Sequence, residues 1–430
     1  MGEGVTAQAG SVFTRVFPGA RAVLVADGNT WAVAGPAVES SLAGQQVGMD
    51  PPIIYPGAPP LYADGDVVAD LTRRLGGAVA VSIGAGSLND VTKLASHRAG
   101  RGYLHVCTAA SVDGYTSFGA SITVDGVKTT HECPAPRAVI VALDVMAAAP
   151  GWLTATGYGD LVEKVPAGAD WIIADELGLD PIDEVAWNLV QSGLREALGD
   201  PGGLAKAEIG PIRALAEALI MSGLSMQVCS SSRPASGAGH YFSHQWEMEG
   251  FGRDWRPPLS HGYKVGLGAV AMCALYEQVL DLPLASIDID ARLATWPTPA
   301  QDASRVRALQ PHPGICRASL GQSAEKYLSP DRARVRLELI RDRWNSIRTR
   351  VAAQVMPVRI VEQMLREVGA IHHPAQIGLS LEQLRTKYYQ AQTIRARYTV
   401  LDLLQETGHL NLVVDSLFAP GGYWQTRIPI

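Results

Sequence analysis

The chain has 430 residues, 47% hydrophobic and 18% charged, with 36 Lys and Arg against 42 Asp and Glu and a net charge of −6. At about 150 residues per domain this length predicts two or three domains, and the composition rules out wholesale disorder and fibrous repeats. A net acidic chain without a Lys/Arg-rich run argues against a nucleic-acid partner.

The predicted elements open with an α/β pattern. Arg21-Ala22-Val23-Leu24-Val25-Ala26 is a short apolar run ending in the turn cluster Asp27-Gly28-Asn29-Thr30. Pro51-Pro52 and Pro59-Pro60 bracket a segment expected to be a loop without regular structure. A second apolar run, Val79-Ala80-Val81-Ser82-Ile83, breaks at Gly84-Ala85-Gly86, and residues 103–108 and 138–145 complete the set. Near-continuous apolar strands separated by helices predict a parallel sheet covered on both faces. Residues 1–152 are therefore read as a Rossmann-like α/β domain that binds a dinucleotide.

From residue 153 the pattern turns helical. Residues 183–198 set Val185, Leu189, Leu194 and Leu198 at helical spacing, and 204–224 and 262–280 are rich in Ala and Leu. Residues 331–367 mix charged and aliphatic side chains at helical periods, which predicts partly solvated helices. The Pro-containing stretch from Trp296 to Pro313 is expected to be a loop between two helical groups. The second domain, 153–430, is thus expected to be all-helical.

The most apolar stretches, such as 269–275, are shorter than the roughly 20 residues a bilayer crossing takes. Met1-Gly2-Glu3-Gly4 lacks the basic segment and apolar run of a secretory signal. The five cysteines are scattered, odd in number and without CxxC spacing, which argues against a disulfide framework and a thiolate zinc site. A soluble cytoplasmic protein without a membrane partner is expected.

Two constellations carry chemistry. Ser82-Ile83-Gly84-Ala85-Gly86-Ser87-Leu88-Asn89-Asp90 follows an apolar strand and opens a helix running to about His97. Glycines allow close backbone approach to a pyrophosphate, and a helix N-terminus supplies unpaired N–H donors and a positive dipole end. The pattern is GxGxxND rather than GxGxxG, and a plain strand-to-helix turn capped by Ser87 or Asn89 explains it equally well. Asp27 is either a ribose-hydroxyl ligand or a turn-former. The second constellation is His240 and His244, an i,i+4 pair on one helix face, with His261 and Asp160. An open catalytic metal site commonly takes three protein ligands, and Asp160 in Gly157-Tyr158-Gly159-Asp160-Leu161, where the neighbouring glycines leave room for a ligand, is a candidate carboxylate. Core histidines satisfied by carbonyls and an aspartate helix cap are the competing readings.

Five motifs occur in order: 84–90, Thr108-Ala109-Ala110-Ser111-Val112-Asp113-Gly114-Tyr115, Gly157-Tyr158-Gly159-Asp160, Ser231-Ser232-Arg233-Pro234-Ala235-Ser236-Gly237 and His261-Gly262-Tyr263-Lys264-Val265-Gly266. With Arg397-Tyr398-Thr399-Val400-Leu401-Asp402-Leu403-Leu404, they closely resemble the sn-glycerol-1-phosphate dehydrogenases, relatives of glycerol dehydrogenase, iron-type alcohol dehydrogenases and dehydroquinate synthase. The resemblance implies a Rossmann-like domain, a helical C-terminal domain and a divalent metal, Zn2+ or Ni2+, held by Asp160, His240 and His261. It places NAD(H) or NADP(H) over Gly84 and Gly86 to Asp90, taking in Ser87, Leu88 and Asn89, and against Thr108, Ala109 and Ser111, with Ser117 nearby and Asp27 on the adenosine side. Asp113 and His244 would contact substrate, with His244 relaying a proton because an imidazole titrates near the working pH. The implied reaction reduces a phosphorylated ketone, dihydroxyacetone phosphate, to sn-glycerol 1-phosphate, in a homodimer or larger homo-oligomer.

Two departures stand out. Where the family reads Ser-Gly-Ala-Glu-His, position 239 here is Gly, and where it reads His-Gly-Glu, position 263 is Tyr. Losing carboxylates beside two ligands changes the charge that orients them. The segment around 285–335 is also longer than the resemblance leads one to expect. The alternatives are a dehydrogenase acting on a different ketone, a cyclase resembling dehydroquinate synthase, or a dinucleotide-binding protein without catalysis.

Overall fold

The computed structural model describes residues 1–124 and 127–427. The first stretch alternates α1 (Ala9–Val16), β1 (Ala22–Asp27), α2 (Gly28–Gly44), β2 (Met49–Tyr55), α3 (Gly65–Arg74), β3 (Val79–Gly84), α4 (Gly86–Arg98) and β4 (Leu104–Cys107). A two-stranded antiparallel ribbon, β5 (Ala120–Val124) and β6 (Val127–His131), precedes β7 (Ala138–Val141). The main sheet is parallel, with strand order β2-β1-β3-β4-β7. Alternation along β1 feeds two cores. Leu24 packs with Phe13, Val38, Leu42, Val81 and Val106 on one face, while Val23 and Val25 pack with Leu71, Val91 and Leu94 on the other. A sheet buried on both faces has no room for polar alternation, which is why its strands read as apolar runs.

The expected loop across Pro51-Pro52 is instead strand β2. Proline cannot donate to a ladder, but β2 is the sheet edge and both prolines are exposed there. The register slips at the same place, from Val23 opposite Asp50 to Val25 opposite Ile53. The chain runs from β1 outward to β2, then returns through α3 to β3 on the other side of β1. Connections therefore reverse between β1 and β3, and at their carboxyl ends lies the crevice where such sheets take ligands.

The remainder is helical: α5 (Leu143–Ala147), α6 (Gly151–Val162), α7 (Lys164–Glu176), α8 (Glu184–Gln191), α9 (Leu194–Ala197), α10 (Pro201–Ala205), α11 (Ile209–Cys229), α12 (Ala238–Met248) and α13 (His261–Val279). They are followed by α14 (Ile289–Ala294), α15 (Pro299–Leu309), α16 (Pro313–Lys326), α17 (Pro330–Gln354), α18 (Val358–Glu367), α19 (Leu381–Thr393), α20 (Val400–Thr407) and α21 (Leu410–Phe418). The expected loop at 296–313 contains α15. Pro299 occupies its first turn, where a missing N–H costs nothing, and Thr298 with Gln301 forms a capping box.

Two compact units result. One comprises residues 1–161, 185–232 and 367–369; the other comprises 162–184, 233–366 and 370–430. Helices α8 to α11 thus belong to the same unit as the sheet. Among the described residues one helix, α11, is long and apolar enough to cross a membrane by length and composition, so the expectation that no stretch reaches that length is corrected. Its most apolar window is 44% buried, and it is hydrogen-bonded to the turn at 113–116 through the Ile220 carbonyl and the Gln227 side chain.

Candidate active site

Helix α4 starts immediately after β3, at the carboxyl end of the sheet. Its N-cap is Ala85, which has no side chain able to cap, so neither Ser87 nor Asn89 serves as the cap that a plain turn would use. The first helical bond of this turn runs from Asn89 N–H to the Ala85 carbonyl. The N–H groups of Gly86, Ser87 and Leu88 precede it, the arrangement that favours an anion. Ser87 is exposed and Leu88 is buried. Asp27 ends β1 and caps α2, accepting from Asn29 N–H at 2.8 Å and Thr30 N–H at 3.0 Å. Its side chain is therefore a helix cap, whatever else it touches.

The segment after β4 is held from beneath by a residue the sequence did not single out. Lys93, fully buried on α4, donates to the carbonyls of Gly114 at 2.8 Å, Ser117 at 3.0 Å and Gly119 at 3.0 Å, and to Ser117 Oγ at 3.2 Å. Burial lowers its pKa, while Asp90 at 3.9 Å favours the charge. Asn89 works alongside, donating to the Gly114 carbonyl and accepting from Tyr103 Oη. The side chains of Asn89 and Ser117 are thus occupied in bracing this loop. Tyr115 Oη donates to the Ala109 carbonyl and lies 3.1 Å from Ser111 Oγ. Thr108 N–H bonds back to the Gly84 carbonyl, tying the loop to the glycine turn. Beneath it His105 is stacked on Tyr115, and burial drives its pKa down to about 3, so it is neutral.

Helix α6 backs onto that loop. A Cβ on Gly157 would stand 2.0 Å from the Ala110 carbonyl oxygen, so only glycine permits the approach. One turn on, Asp160 is fully buried and its Oδ2 accepts from the Asp113 backbone N–H at 3.1 Å. The Asp113 carboxylate in turn accepts from Ser222 Oγ at 2.9 Å.

The histidines lie on α12 and at the start of α13. The rings of His240 and His261 are 5.6 Å apart, and His244 is 6.0 Å from the first and 6.1 Å from the second. Glu163 Oε2 is 2.6 Å from His240 Nδ1, and Glu163 Oε1 accepts the His240 backbone N–H at 3.3 Å. Glu247 Oε1 is 2.8 Å from His261 Nδ1, with Ser243 Oγ at 3.1 Å from the same nitrogen. A glutamate on Nδ1 fixes the orientation and tautomer of each ring, the arrangement common around imidazoles that ligate a metal through Nε2. Within their unit, His240 and His261 offer imidazole nitrogens within 4.8 Å of each other, donors that suit zinc, nickel or iron rather than a soft thiolate-seeking ion.

His244 is different. Its Nδ1 has no hydrogen-bond partner among the described residues, and burial, with Arg395 nearby, pushes its pKa well below the usual histidine range. It is therefore neutral at neutral pH, which corrects the expectation of an imidazole titrating near the working pH. Glu163, Glu247 and Lys93 each lie three residues past a residue the sequence singled out, Asp160, His244 and Asp90, and were missed because the groups they hold lie elsewhere in the chain.

The family model described as iron-containing alcohol dehydrogenase matches residues 1–150. Among solved structures, glycerol dehydrogenase from Schizosaccharomyces pombe aligns over 99% of this chain and 89% of its own, with TM-score 0.60 and 15% identity. A probable glycerol dehydrogenase from Sinorhizobium meliloti 1021 aligns over 96% of each chain, with TM-score 0.57 and 16% identity. At such identities these likenesses speak for the fold. Over residues 1–150 the chain is therefore similar to the iron-containing alcohol dehydrogenases. The chain's sequence relatives include proteins named glycerol-1-phosphate dehydrogenase, NAD(P)+. The one from Halalkalibacterium halodurans is 38% identical over 259 residues, 59% of this chain and 64% of the relative. The one from Geobacillus stearothermophilus is 29% identical over 399 residues, 90% of this chain and 87% of the relative. The first three such relatives are matched over 64%, 51% and 66% of their own length.

Proposed function

We propose that the protein is a metal-dependent, NAD(P)-linked oxidoreductase that interconverts dihydroxyacetone phosphate and sn-glycerol 1-phosphate. The observation that carries the reading is the pair of neighbouring imidazoles, His240 and His261, each held at Nδ1 by a glutamate, Glu163 and Glu247. In this reading Asp160, His240 and His261 hold a divalent cation, Zn2+ or Ni2+, and the uncapped start of α4 and the Thr108–Ser111 segment hold the dinucleotide. When bound, these groups supply Lewis acidity at the substrate oxygen and hydride transfer.

The rest of the work falls to the chain. Glu163 and Glu247 accept Nδ1–H from the two ligand imidazoles and so fix their tautomer. Asp113 N–H holds the Asp160 carboxylate in one orientation. Gly86, Ser87 and Leu88 present backbone donors to the pyrophosphate, Ala109 and Ser111 line the neighbouring segment, and Asp27 reads the adenosine ribose. His244, with an unpartnered buried Nδ1, is the side chain we assign to the substrate hydroxyl, and Asp113 is assigned to substrate contact. Five free cysteines fit a cytoplasmic setting.

The test is a set of phosphorylated and free ketones assayed by NAD(P)H absorbance, with and without chelator. Chelator-sensitive oxidation of NAD(P)H by dihydroxyacetone phosphate is expected. Turnover indifferent to chelator, or no turnover on any phosphorylated ketone, overturns the reading.

A further inference from the structure

The carboxylates that the family carries at positions 239 and 263 are absent from this chain, yet the imidazoles beside those positions are not left without carboxylates. At His240 the geometry is one of mutual exclusion. A Cβ on Gly239 would lie 2.9 Å from Glu163 Cγ, 2.9 Å from Glu163 Oε1 and 3.1 Å from the Gly268 backbone carbon. The Glu163 side chain thus occupies the space that any side chain at 239 would enter. It is completely buried, and it grips His240 twice, at the ring Nδ1 and at the backbone N–H. At His261, Tyr263 N–H is spent on the Ser260 cap, and the carboxylate on Nδ1 arrives from α12 as Glu247, with Lys264 Nζ 3.7 Å from the same oxygen.

We propose that Glu163, the residue joining α6 to α7, and Glu247, on α12, are positioning residues that supply the His240 and His261 imidazoles with the carboxylates that positions 239 and 263 do not. Each imidazole thus keeps a carboxylate on Nδ1 although its sequence neighbour is Gly239 or Tyr263. A charged acceptor on Nδ1–H raises the basicity of Nε2 and fixes the ring, and removing such a partner typically weakens a metal site by 10–100-fold. This inference rests on the metal reading given above.

The test uses the full chain and Zn2+, titrated in competition with a chromogenic chelator, with NADH fluorescence titration and a thermal melt as controls. Glu163→Gln and Glu247→Gln each keep shape and one hydrogen-bond acceptor but remove the charge. Each is expected to weaken Zn2+ binding about tenfold or more, leave NADH affinity within about twofold, and retain a cooperative melt. Glu163→Asp is expected to recover part of the loss. The two substitutions sit at different imidazoles, so either one decides if the other folds poorly. Wild-type Zn2+ affinity in a folded Gln variant overturns the inference. His261→Ala separates the two levels. If it too binds Zn2+ normally, the metal reading has failed; if it alone loses the metal, only the role of the glutamates has failed.

Discussion

The Ala238 backbone N–H donates to Asp170 Oδ2 at 2.7 Å, and the opposite oxygen, Oδ1, accepts from Val400 N–H at 2.8 Å and Tyr276 Oη at 2.7 Å. One buried carboxylate thereby closes the starts of both α12 and α20. This is the physical reason that Ser236-Gly237 and Thr399-Val400, 163 residues apart in the chain, belong to one constellation. A Cβ at Gly237 would sit 2.4 Å from Asp170 Oδ2. The helix that carries His240 is therefore anchored at its first turn by Asp170.

Burial raises the Asp170 pKa to about 6, against the pull of its hydrogen bonds and of Arg233. The folded chain then binds a proton between about pH 4 and 6 that the unfolded chain has released. This group's contribution to stability falls as pH rises through that window and is level above it, by on the order of 3 kcal/mol. Asp170→Asn should remove this slope while lowering the melting temperature overall, since an amide nitrogen cannot accept from a helix N–H. Thermal melts of both proteins from pH 4 to 7 check this; parallel curves would refute it.

Lys93 makes the next prediction. Replacing it with Met keeps the aliphatic stem and strips three buried carbonyls of their donor. Each carbonyl left without a partner costs about 1–3 kcal/mol where water cannot reach it. Lys93→Met should destabilise the fold by a few kcal/mol and raise the KM for the dinucleotide more than that for the ketone, because the braced segment runs on from Thr108–Ser111. Differential melting and a KM comparison are the measurements. Equal effects on both KM values would count against a role in shaping the cofactor segment.

Much of this was legible in the sequence where chemistry has a local signature. The apolar runs marked β1, β3, β4 and β7 because both faces of that sheet are buried, and the i,i+4 spacing put His240 and His244 on one helix. Strand β2 was not legible, because prolines read as loop until one knows that the strand is an edge. Helix α15 was missed for a related reason: Pro299 sits at the one helical position that tolerates it. Glu163, Glu247, Lys93 and Asp170 act on residues distant in the chain, and no single-sequence pattern encodes such a partner.

Asp27 offers a test of cofactor choice. Its carboxylate caps α2 at the end of β1, beside the reversal point of the sheet, where it would repel a 2′-phosphate on the adenosine ribose. Asparagine is an equally good cap, so Asp27→Asn removes charge with little cost to the helix. The ratio of kcat/KM for NADPH over NADH should rise by about tenfold, the size of a single relieved charge contact of roughly 1.4 kcal/mol. An unchanged ratio in a protein of unchanged melting temperature would place the adenosine elsewhere.

His261 tests the centre itself. It is the first residue of α13, its side chain is 28% exposed, and the helix start is capped independently by Ser260, whose Oγ accepts the Tyr263 N–H. Removing the imidazole therefore leaves the helix its cap and opens no deep cavity, so the melting temperature should shift by only a few degrees. The proposed donor set, by contrast, falls from three protein ligands to two. His261→Ala should bind Zn2+ far more weakly and lose turnover by about a thousandfold or more, the several kcal/mol that a Lewis acid contributes at a developing negative oxygen. NADH binding, which we assign to the start of α4 and the segment after β4, should persist. Metal analysis, a fluorescence titration with NADH and an activity assay distinguish these outcomes, and a variant that keeps both its metal and its turnover removes His261 from the centre.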